Sequence, residues 1–357
     1  MDFTAELLKW YRAHRRDLLW KQTNDPYKIW LSEIILQQTR VEQGEPYYRR
    51  FTERFPTVQD LAAAPLDEVL LLWQGLGYYS RARHLHGTAQ QIVAEHGGRF
   101  PRTREALLKL KGIGPYTAAA IASFAFKEAV PAIDGNGYRI LSRVFGMDEP
   151  VDTGAGKKLF AGIAEELIPS AYPGDFNQAL MDFGSLVCTP ARPLCPGCPL
   201  LPGCYAFAHK SVEKFPVKSK RTAVRTRYFY YLFIQYENSV FIRKRTKKDI
   251  WQGLYEFPLI ETAARVPPEK LMAGEQWAAL FGTSPLKIRH ISEEIKHQLT
   301  HQTLYATFYT IGLHEISPAL QSGYLNISPD LLDSYSLPRL VTLFLGKYLN
   351  IQKLFLP

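Results

Sequence analysis

Four cysteines lie within one short stretch of the chain, at positions 188, 195, 198 and 204, and the sequence contains no others. Six, two and five residues separate successive members of this set. Four thiolates can hold either a zinc ion or a 4Fe–4S cluster. Structural zinc sites usually use two closely spaced pairs, and here only Cys195 and Cys198 form such a pair. The spacing therefore favours a 4Fe–4S cluster over zinc at Cys188, Cys195, Cys198 and Cys204.

Two carboxylates stand in contrasting surroundings. Glu33 has Trp30, Ile34 and Ile35 as neighbours, and an apolar environment raises the pKa of a carboxyl group, so that it can act as a general acid. Asp134 precedes a helical pattern that begins with glycine, where amide donors and the helix dipole favour an ionised side chain. One neutral and one charged carboxyl group is an arrangement typical of acid-assisted glycosidic cleavage. The alternative interpretations are a surface glutamate and a simple helix cap.

A glycine-rich turn lies between two helical patterns at residues 110–117. Gly112 and Gly114 allow a tight turn with exposed backbone N–H groups, and the following helix adds its N-terminal dipole. Together these features predict a seat for a phosphate group. The alternative is an ordinary helix–helix turn.

The elements that must position these residues change character along the chain. Residues 1–210 show apolar residues at helical spacing and no strand alternation, which predicts a mainly α domain. Residues 211–227 are basic and poor in apolar residues, and are interpreted as a linker. From residue 228 an aromatic strand and a turn at residues 237–239 predict a hairpin. A helix over 267–281 and a strand over 303–311 complete a predicted α+β domain at 228–350.

Composition restricts the class of protein. The 357 residues are 46% hydrophobic and 22% charged, which excludes a disordered or collagen-like chain. No apolar run reaches the roughly 18 residues that a transmembrane helix needs, and the N-terminus lacks a signal-peptide core. We therefore expect no membrane partner and a cytoplasmic, nucleoid-associated location. The net charge of +9 suits a nucleic-acid partner, and segment 211–227 carries six positive residues against one negative.

Several motifs together resemble one known family. Residues 14–20, 32–41, 75–81 and 251–258, the glycine turn, residues 132–136 and the four cysteines follow the order seen in the adenine DNA glycosylases of the MutY family. That family lies within the helix-hairpin-helix superfamily of iron–sulfur DNA glycosylases. The resemblance implies a helical glycosylase domain with a cluster loop at 188–204, followed by a Nudix-like domain.

The resemblance also implies a role for each matched position. Glu33 would protonate adenine at N7 after the base has been flipped out of the duplex. Asp134 would stabilise the oxocarbenium-like sugar or attack it transiently. The adenine pocket would be lined by Arg16, Leu18, Trp20 and Gln178. Other DNA contacts would come from Gln38, Tyr78, Gly112, Gly114, Tyr116 and Thr117.

The same resemblance implies a monofunctional enzyme. Relatives that also cleave the strand use a lysine amine two residues after the second glycine of the hairpin. Tyr116 occupies that position here and cannot form an imine. The expected product is free adenine and an intact strand with an abasic site.

The C-terminal domain is expected to recognise 8-oxoguanine opposite the adenine. The metal-binding signature of Nudix hydrolases is absent from the sequence, so the domain should bind without hydrolysing. The family's Phe-Ser-His loop corresponds here to Leu299, Thr300 and His301. The Thr300 hydroxyl can accept a hydrogen bond from N7–H of 8-oxoguanine, a donor that guanine lacks. The expected partner is duplex DNA with an 8-oxoguanine:adenine or guanine:adenine mismatch, bound by a monomer.

Two other interpretations remain at this point. An oxidised-pyrimidine glycosylase with lyase activity would share the hairpin and the cysteines, but Tyr116 and the additional domain disfavour it. A non-catalytic iron–sulfur DNA-binding sensor would need neither Glu33 nor Asp134.

Overall fold

The computed structural model describes residues 1–219 and 224–355, with the side chains of 348–355 left out. Within it the chain forms two compact units. The first comprises Met1–Ala64 and His84–Arg221, and the second Pro65–Arg83 and Thr222–Pro357. Lys220 and Arg221, which belong to the basic segment 211–227, lie outside the described residues. In the described part of the chain, no helix has the length and apolar character needed to cross a membrane.

The chain up to residue 210 is helical, and its described residues contain no strand, as the sequence predicts. The fifth helix lies in the second unit, and the sixth crosses the boundary at residue 83. The helices are α1 (Phe3–His14), α2 (Pro26–Leu36), α3 (Val41–Arg54), α4 (Val58–Ala63), α5 (Leu66–Leu72), α6 (Ser80–His96), α7 (Arg104–Leu107), α8 (Pro115–Phe126), α9 (Gly135–Phe145), α10 (Gly154–Leu167), α11 (Pro173–Leu186) and α12 (Tyr205–Ala208).

Helices α2, α8, α9 and α11 position the residues of interest. Helix α2 begins at Pro26, whose fixed φ suits a first helical position, and Asp25 caps it by accepting from the Tyr27 N–H. Helix α8 presents buried alanines, Ala118 to Ala120, to its neighbours. Small side chains allow close approach, and α8 packs against both α2 and α11. Segments distant in sequence therefore meet around α8.

The second unit contains an eight-stranded sheet and is α+β, as the sequence predicts. Its central strands β1 and β7 run parallel, from the pair Arg225–Gln302 to the pair Gln235–Gly312. The strand order is β3-β2-β1-β7-β5, with β4 paired to β1, β6 to β7 and β8 to β2. The strands are β1 (Arg225–Tyr236), β2 (Ser239–Lys244), β3 (Tyr255–Glu256), β4 (Leu259–Thr262), β5 (Leu286–Ile291), β6 (Ile295–Gln298), β7 (Gln302–Leu313) and β8 (Leu325–Ile327).

Strand β1 is buried on both faces, which explains its aromatic sequence. Phe229, Tyr231 and Phe233 pack into one core, while the alternating residues between them pack into a second core on the other face. The predicted hairpin between β1 and β2 is confirmed, with the pair Tyr236–Ser239 flanking its turn.

The predicted helix over 267–281 is interrupted. It forms two helices, α13 (Pro268–Met272) and α14 (Glu275–Phe281), because Gly274 adopts an extended conformation between them. The remaining helices are α15 (Pro318–Gly323) and α16 (Arg339–Phe355).

Arg227, which the sequence pattern assigns to a basic linker, lies in a strand instead. It lies inside β1, is 5% exposed, and donates hydrogen bonds to Asp249 and Glu261 at 2.7–2.9 Å. Two carboxylates therefore neutralise its charge, and the side chain is not free to contact a phosphate.

Candidate active site

Glu33 lies on α2 and is buried, with 8% of the residue exposed. The Tyr116 hydroxyl donates a hydrogen bond of 2.6 Å to its Oε2. Burial raises the pKa of Glu33 to about 7, and the negative charge of Asp134 adds to this effect, whereas the Tyr116 hydrogen bond and Lys21 oppose it. A large fraction of Glu33 is therefore protonated near neutral pH and can donate a proton.

Asp134 caps the N-terminus of α9. Its Oδ1 accepts from the backbone N–H groups of Asn136 and Gly137, both at 2.9 Å, and its Oδ2 accepts from the Asn136 side-chain amide at 2.7 Å. Burial raises the pKa of Asp134, and the three hydrogen bonds and Arg139 act in the opposite direction. These donors hold the carboxylate in a fixed orientation.

The two carboxylates line one cleft of about 810 Å³ in the first unit. Tyr116 and Thr117 of α8 and Gly112 and Gly114 of the preceding turn line the same cleft. The predicted pocket residues Arg16, Leu18, Trp20 and Gln178 also lie there, as does Gln38. The structure thus brings together every predicted site residue of the first unit outside the cysteine set.

A deeper cavity of about 430 Å³ opens beside Glu33. Arg16, Trp20 and Gln178 form part of its wall, whereas Leu18 lines only the wider cleft. Trp20 is buried and packs edge-on against Tyr48, with ring centroids 5.4 Å apart. The cavity is large enough to hold a purine ring beside the acid.

Asp182 is a residue of this site that the sequence analysis missed. It is fully buried on α11, and its carboxylate accepts from Arg16 at 2.6 and 2.9 Å and from Lys21 at 2.6 Å. Buried charges require such pairing, so Asp182 fixes the positions of both cations at the cavity. Because the partners lie 166 and 161 residues away, no local pattern indicates them.

The glycine turn between α7 and α8, which the sequence predicts to be a phosphate seat, requires glycine at position 112. Gly112 has φ +79°, and a Cβ there would lie 2.8 Å from the His84 Cβ, so only glycine fits without strain. Gly114 caps α8 and is exposed. Thr117 is buried, however, which disfavours a direct contact between this residue and an external ligand.

Tyr116 points into the cleft, where its hydroxyl reaches Glu33. Burial and the charge of Glu33 raise the pKa of Tyr116 well above its usual value. The phenol therefore stays protonated and serves as a hydrogen-bond donor. The family resemblance implies a DNA contact for Tyr116, and no local pattern in the sequence indicates its bond to the acid.

Tyr78 and Thr300 meet in the second unit although 222 residues separate them in sequence. Their hydroxyl oxygens are 2.5 Å apart, and both side chains are exposed. The Arg81 guanidinium lies 5.6 Å from the Tyr78 ring centroid and 5.1 Å from the Trp73 ring centroid. These cation–π contacts help to hold the Tyr78 side chain in place. Thr300 lies in the turn between β6 and β7, with Leu299 half-buried and His301 exposed.

The four cysteines line one apolar cavity in the first unit. Arg143 of α9 anchors the chain there: it donates to the Cys188 Sγ at 3.4 Å and to the Thr189 carbonyl at 2.7 Å. Burial, with a smaller contribution from the other cysteines, raises the pKa of Cys198 to about 11. Within residues 1–219 and 224–355, no three histidine, cysteine or acidic side chains are placed to hold a single metal ion.

The cleft can support acid-assisted cleavage of a glycosidic bond. Glu33 can supply a proton, Asp134 presents a carboxyl group held by three hydrogen-bond donors, and the adjoining cavity accommodates a leaving group of purine size. These are the components that an oxocarbenium-like transition state requires.

Comparisons with known proteins cover both units. Residues 31–164 match the HhH-GPD superfamily base excision DNA repair proteins, and residues 229–347 match the NUDIX domain. The adenine DNA glycosylase of Buchnera aphidicola subsp. Schizaphis graminum is 39% identical over 88% of this chain and 86% of its own length. The adenine DNA glycosylase of Rattus norvegicus is 35% identical over 89% of this chain and 72% of its own.

Two solved structures each match 58% of this chain. A thermostable thymine-DNA glycosylase superposes with a TM-score of 0.55 at 32% identity, covering 58% of this chain and 95% of that one. A non-covalent endonuclease III–DNA complex matches with a TM-score of 0.51 at 24% identity over 58% of this chain and 94% of that one, which supports the fold.

Proposed function

The chain belongs to the adenine DNA glycosylase family, and from that premise we propose that it removes adenine mispaired with 8-oxoguanine or guanine in duplex DNA. The products are free adenine and an abasic site in an unbroken strand. The observation that carries this proposal is the buried Glu33, with a pKa of about 7, in the same cleft as the capping carboxylate Asp134.

The mechanism begins when adenine leaves the duplex and enters the cavity beside Glu33. Unstacking costs a few kcal/mol, and Gln38 and Tyr78 occupy the positions expected to fill the vacated stack. Arg16, held by Asp182, and Gln178 orient the base from the cavity wall.

Proton transfer then makes the base a leaving group. The Glu33 carboxyl group donates to N7 of adenine, and electrons of the N-glycosidic bond move into the ring. Asp134 stabilises the positive charge that develops on the sugar, and water completes hydrolysis. Tyr116, by donating to Oε2, stabilises the Glu33 carboxylate that remains.

The presence of tyrosine at position 116 also supports the proposal that the enzyme does not cleave the strand. A lyase step would need an amine to attack the sugar carbon and form an imine. The phenol at this position has no such chemistry, and its hydroxyl is engaged by Glu33. Borohydride should therefore trap no covalent complex between this protein and DNA.

We further propose that the four cysteines hold a 4Fe–4S cluster. They line one apolar cavity, and their spacing, in which only Cys195 and Cys198 form a close pair, suits a cluster better than zinc. Cys188, Cys195, Cys198 and Cys204 would hold the cluster and so cross-link the loop 188–204, while the hydrogen bonds of Arg143 join this loop to α9. About four iron atoms and four sulfides per chain would support this assignment, and zinc alone would overturn it.

The loop at 299–301 is proposed to read the base opposite adenine. The Thr300 oxygen can accept from N7–H of 8-oxoguanine, and Tyr78 holds this oxygen in place. Duplex DNA is the partner, bound by one copy of the chain at the nucleoid.

Replacing Thr300 with valine should lower the preference for 8-oxoguanine over guanine. One neutral hydrogen bond contributes about 1 kcal/mol, so we expect the ratio of excision rates on the two duplexes to fall roughly threefold to tenfold. Single-turnover excision opposite each base measures this ratio. Thr300→Ser, which keeps the hydroxyl, is the matched control and should retain the preference. An unchanged ratio in Thr300→Val would assign base reading to other residues.

The proposed function is tested by chromatography of the products from an 8-oxoguanine:adenine duplex. Release of free adenine, with strand breaks appearing only after alkali, supports a monofunctional glycosylase. Breaks without alkali, together with a borohydride-trapped complex, would support a lyase. Binding without release of base would support a DNA-binding sensor and overturn the proposal.

A further inference from the structure

A cavity of about 790 Å³ in the second unit has no role in the mechanism above. Its volume lies within the range of small-ligand sites, roughly 300–1,000 Å³. The wall comes from the start of β1, the end of β2 with the residues that follow, and β3 with β4. Three carboxylates line it, namely Asp249, Glu256 and Glu261, and so do six cations, namely Arg225, Arg227, Arg243, Lys244, Arg245 and Lys247.

Two guanidinium groups, of Arg227 and Arg245, pair with the three carboxylates at the floor of this cavity. Arg227 binds Asp249 and Glu261 at 2.7 Å each. Arg245 binds Glu256 at 2.5 Å, and Glu256 is 2% exposed. Each carboxylate of the floor thus has a guanidinium partner, and the floor carries one negative charge in excess, which is fewer than the positive charges at the rim.

The rim of the cavity carries the surplus positive charge. Lys244 pairs with Asp67, which leaves three cations. Arg225 and Lys247 are exposed and have no ion-pair partner among residues 1–219 and 224–355. Arg243 lies 5.2 Å from the Tyr324 ring centroid and 3.7 Å from Glu256, beyond hydrogen-bond distance. Three groups at one opening thus retain donors for an anion.

This cavity is joined to the loop that contains Thr300. The Arg225 backbone N–H donates to the His301 carbonyl at 2.9 Å, and the Arg227 side chain donates to the Gln302 Oε1 at 3.0 Å. Arg225 of the rim and the loop therefore lie at the same end of the sheet, where β1 and β7 begin.

We propose that this cavity binds backbone phosphate of the DNA strand that carries the base opposite adenine. The inference rests on the proposed function for the identity of that strand. A base held at Thr300 places its own flanking phosphates near the start of β1, and guanidinium and ammonium groups are the side chains that hold phosphate. A free nucleotide offers the same phosphate chemistry, so the test separates the two sources.

The test compares two variants with equal loss of charge, Arg225→Gln/Lys247→Gln at the rim and Lys270→Gln/Lys287→Gln outside the cavity. Affinity for a duplex pairing 8-oxoguanine with 2′-fluoro-2′-deoxyadenosine, which resists cleavage, is measured from low to high salt. Each lost phosphate contact reduces the slope of log affinity against log salt by about 0.9. We expect a reduction of about one to two in the rim variant and a smaller one in the control. Excision by saturating enzyme should be unchanged, because Glu33 and Asp134 lie in the first unit.

Two results would overturn the proposal. One is an equal salt slope in both variants. The other concerns free ligands. If the wild-type protein binds dGTP or pyrophosphate and the rim variant does not, while the salt slope of the rim variant on the duplex equals that of the wild type, the cavity is a site for a free nucleotide. The slopes can also be measured on an undamaged duplex. The phosphate site is therefore tested even if the wild-type protein releases no adenine and the proposed function fails.

Discussion

Replacing Glu33 with glutamine is expected to slow adenine excision by about 10²- to 10⁴-fold, the range over which a positioned general acid acts. Glutamine has nearly the same shape, and its amide oxygen can still accept from the Tyr116 hydroxyl. It has no acidic proton to donate to N7 of adenine, so base departure loses its assistance. Single-turnover excision from an 8-oxoguanine:adenine duplex measures the effect.

Duplex affinity provides the internal check on this prediction. Since Glu33 is buried and makes its contact with Tyr116, affinity should stay within a few-fold of the wild-type value. Glu42→Gln is a matched control, because Glu42 lines the same cleft but is exposed. It should excise adenine at close to the wild-type rate. If Glu33→Gln excises adenine as fast as Glu42→Gln, Glu33 has no role in the chemical step.

Replacing Asp134 with asparagine is expected to reduce the excision rate by about 10²- to 10³-fold, as loss of a preorganised electrostatic group does elsewhere. The asparagine oxygen can keep the bonds from the Asn136 and Gly137 N–H groups, so the cap of α9 remains. The negative charge that stabilises the sugar cation is lost. In addition, its amide NH₂ faces the Asn136 amide, a donor opposite a donor.

Asp2, a second aspartate that caps a helix, provides a control that separates a loss of catalysis from a loss of helix stability. Asp2 caps α1 through a 3.0 Å bond from the Ala5 N–H and is exposed, so Asp2→Asn should leave excision unchanged. Thermal unfolding of both variants reports the effect on the fold. If Asp134→Asn loses activity only in proportion to its loss of folded protein, its role is structural and the assignment is wrong.

Local patterns in the sequence predicted the features that depend on neighbouring residues. The apolar neighbours of Glu33 indicated its burial, and the residues after Asp134 indicated a helix cap; both features are present. The hairpin after residue 228 was evident because strand alternation and turn residues lie within a few positions of each other. Such features need no knowledge of the tertiary fold.

Features that depend on distant contacts could not be predicted. Asp182 has no distinctive neighbours, and its importance comes from two cations supplied by residues 161 and 166 positions earlier. The Tyr78–Thr300 bond likewise requires segment 65–83 to join the second unit. The break at Gly274 was missed because a single glycine inside a helical pattern is usually tolerated.

The central claim is that a neutral Glu33 drives adenine excision, and the pH dependence of the wild-type rate at saturating enzyme tests it most directly. Burial raises the pKa of Glu33 from 4.5 to about 7, and only its protonated form donates. Excision should therefore fall as the pH rises through this pKa, by about tenfold per unit well above it. A rate roughly a hundredth of its plateau at about pH 9 would agree with the account. A rate that is constant or rising from about pH 6 to 9 would contradict it, since Glu33 would then act ionised or not at all.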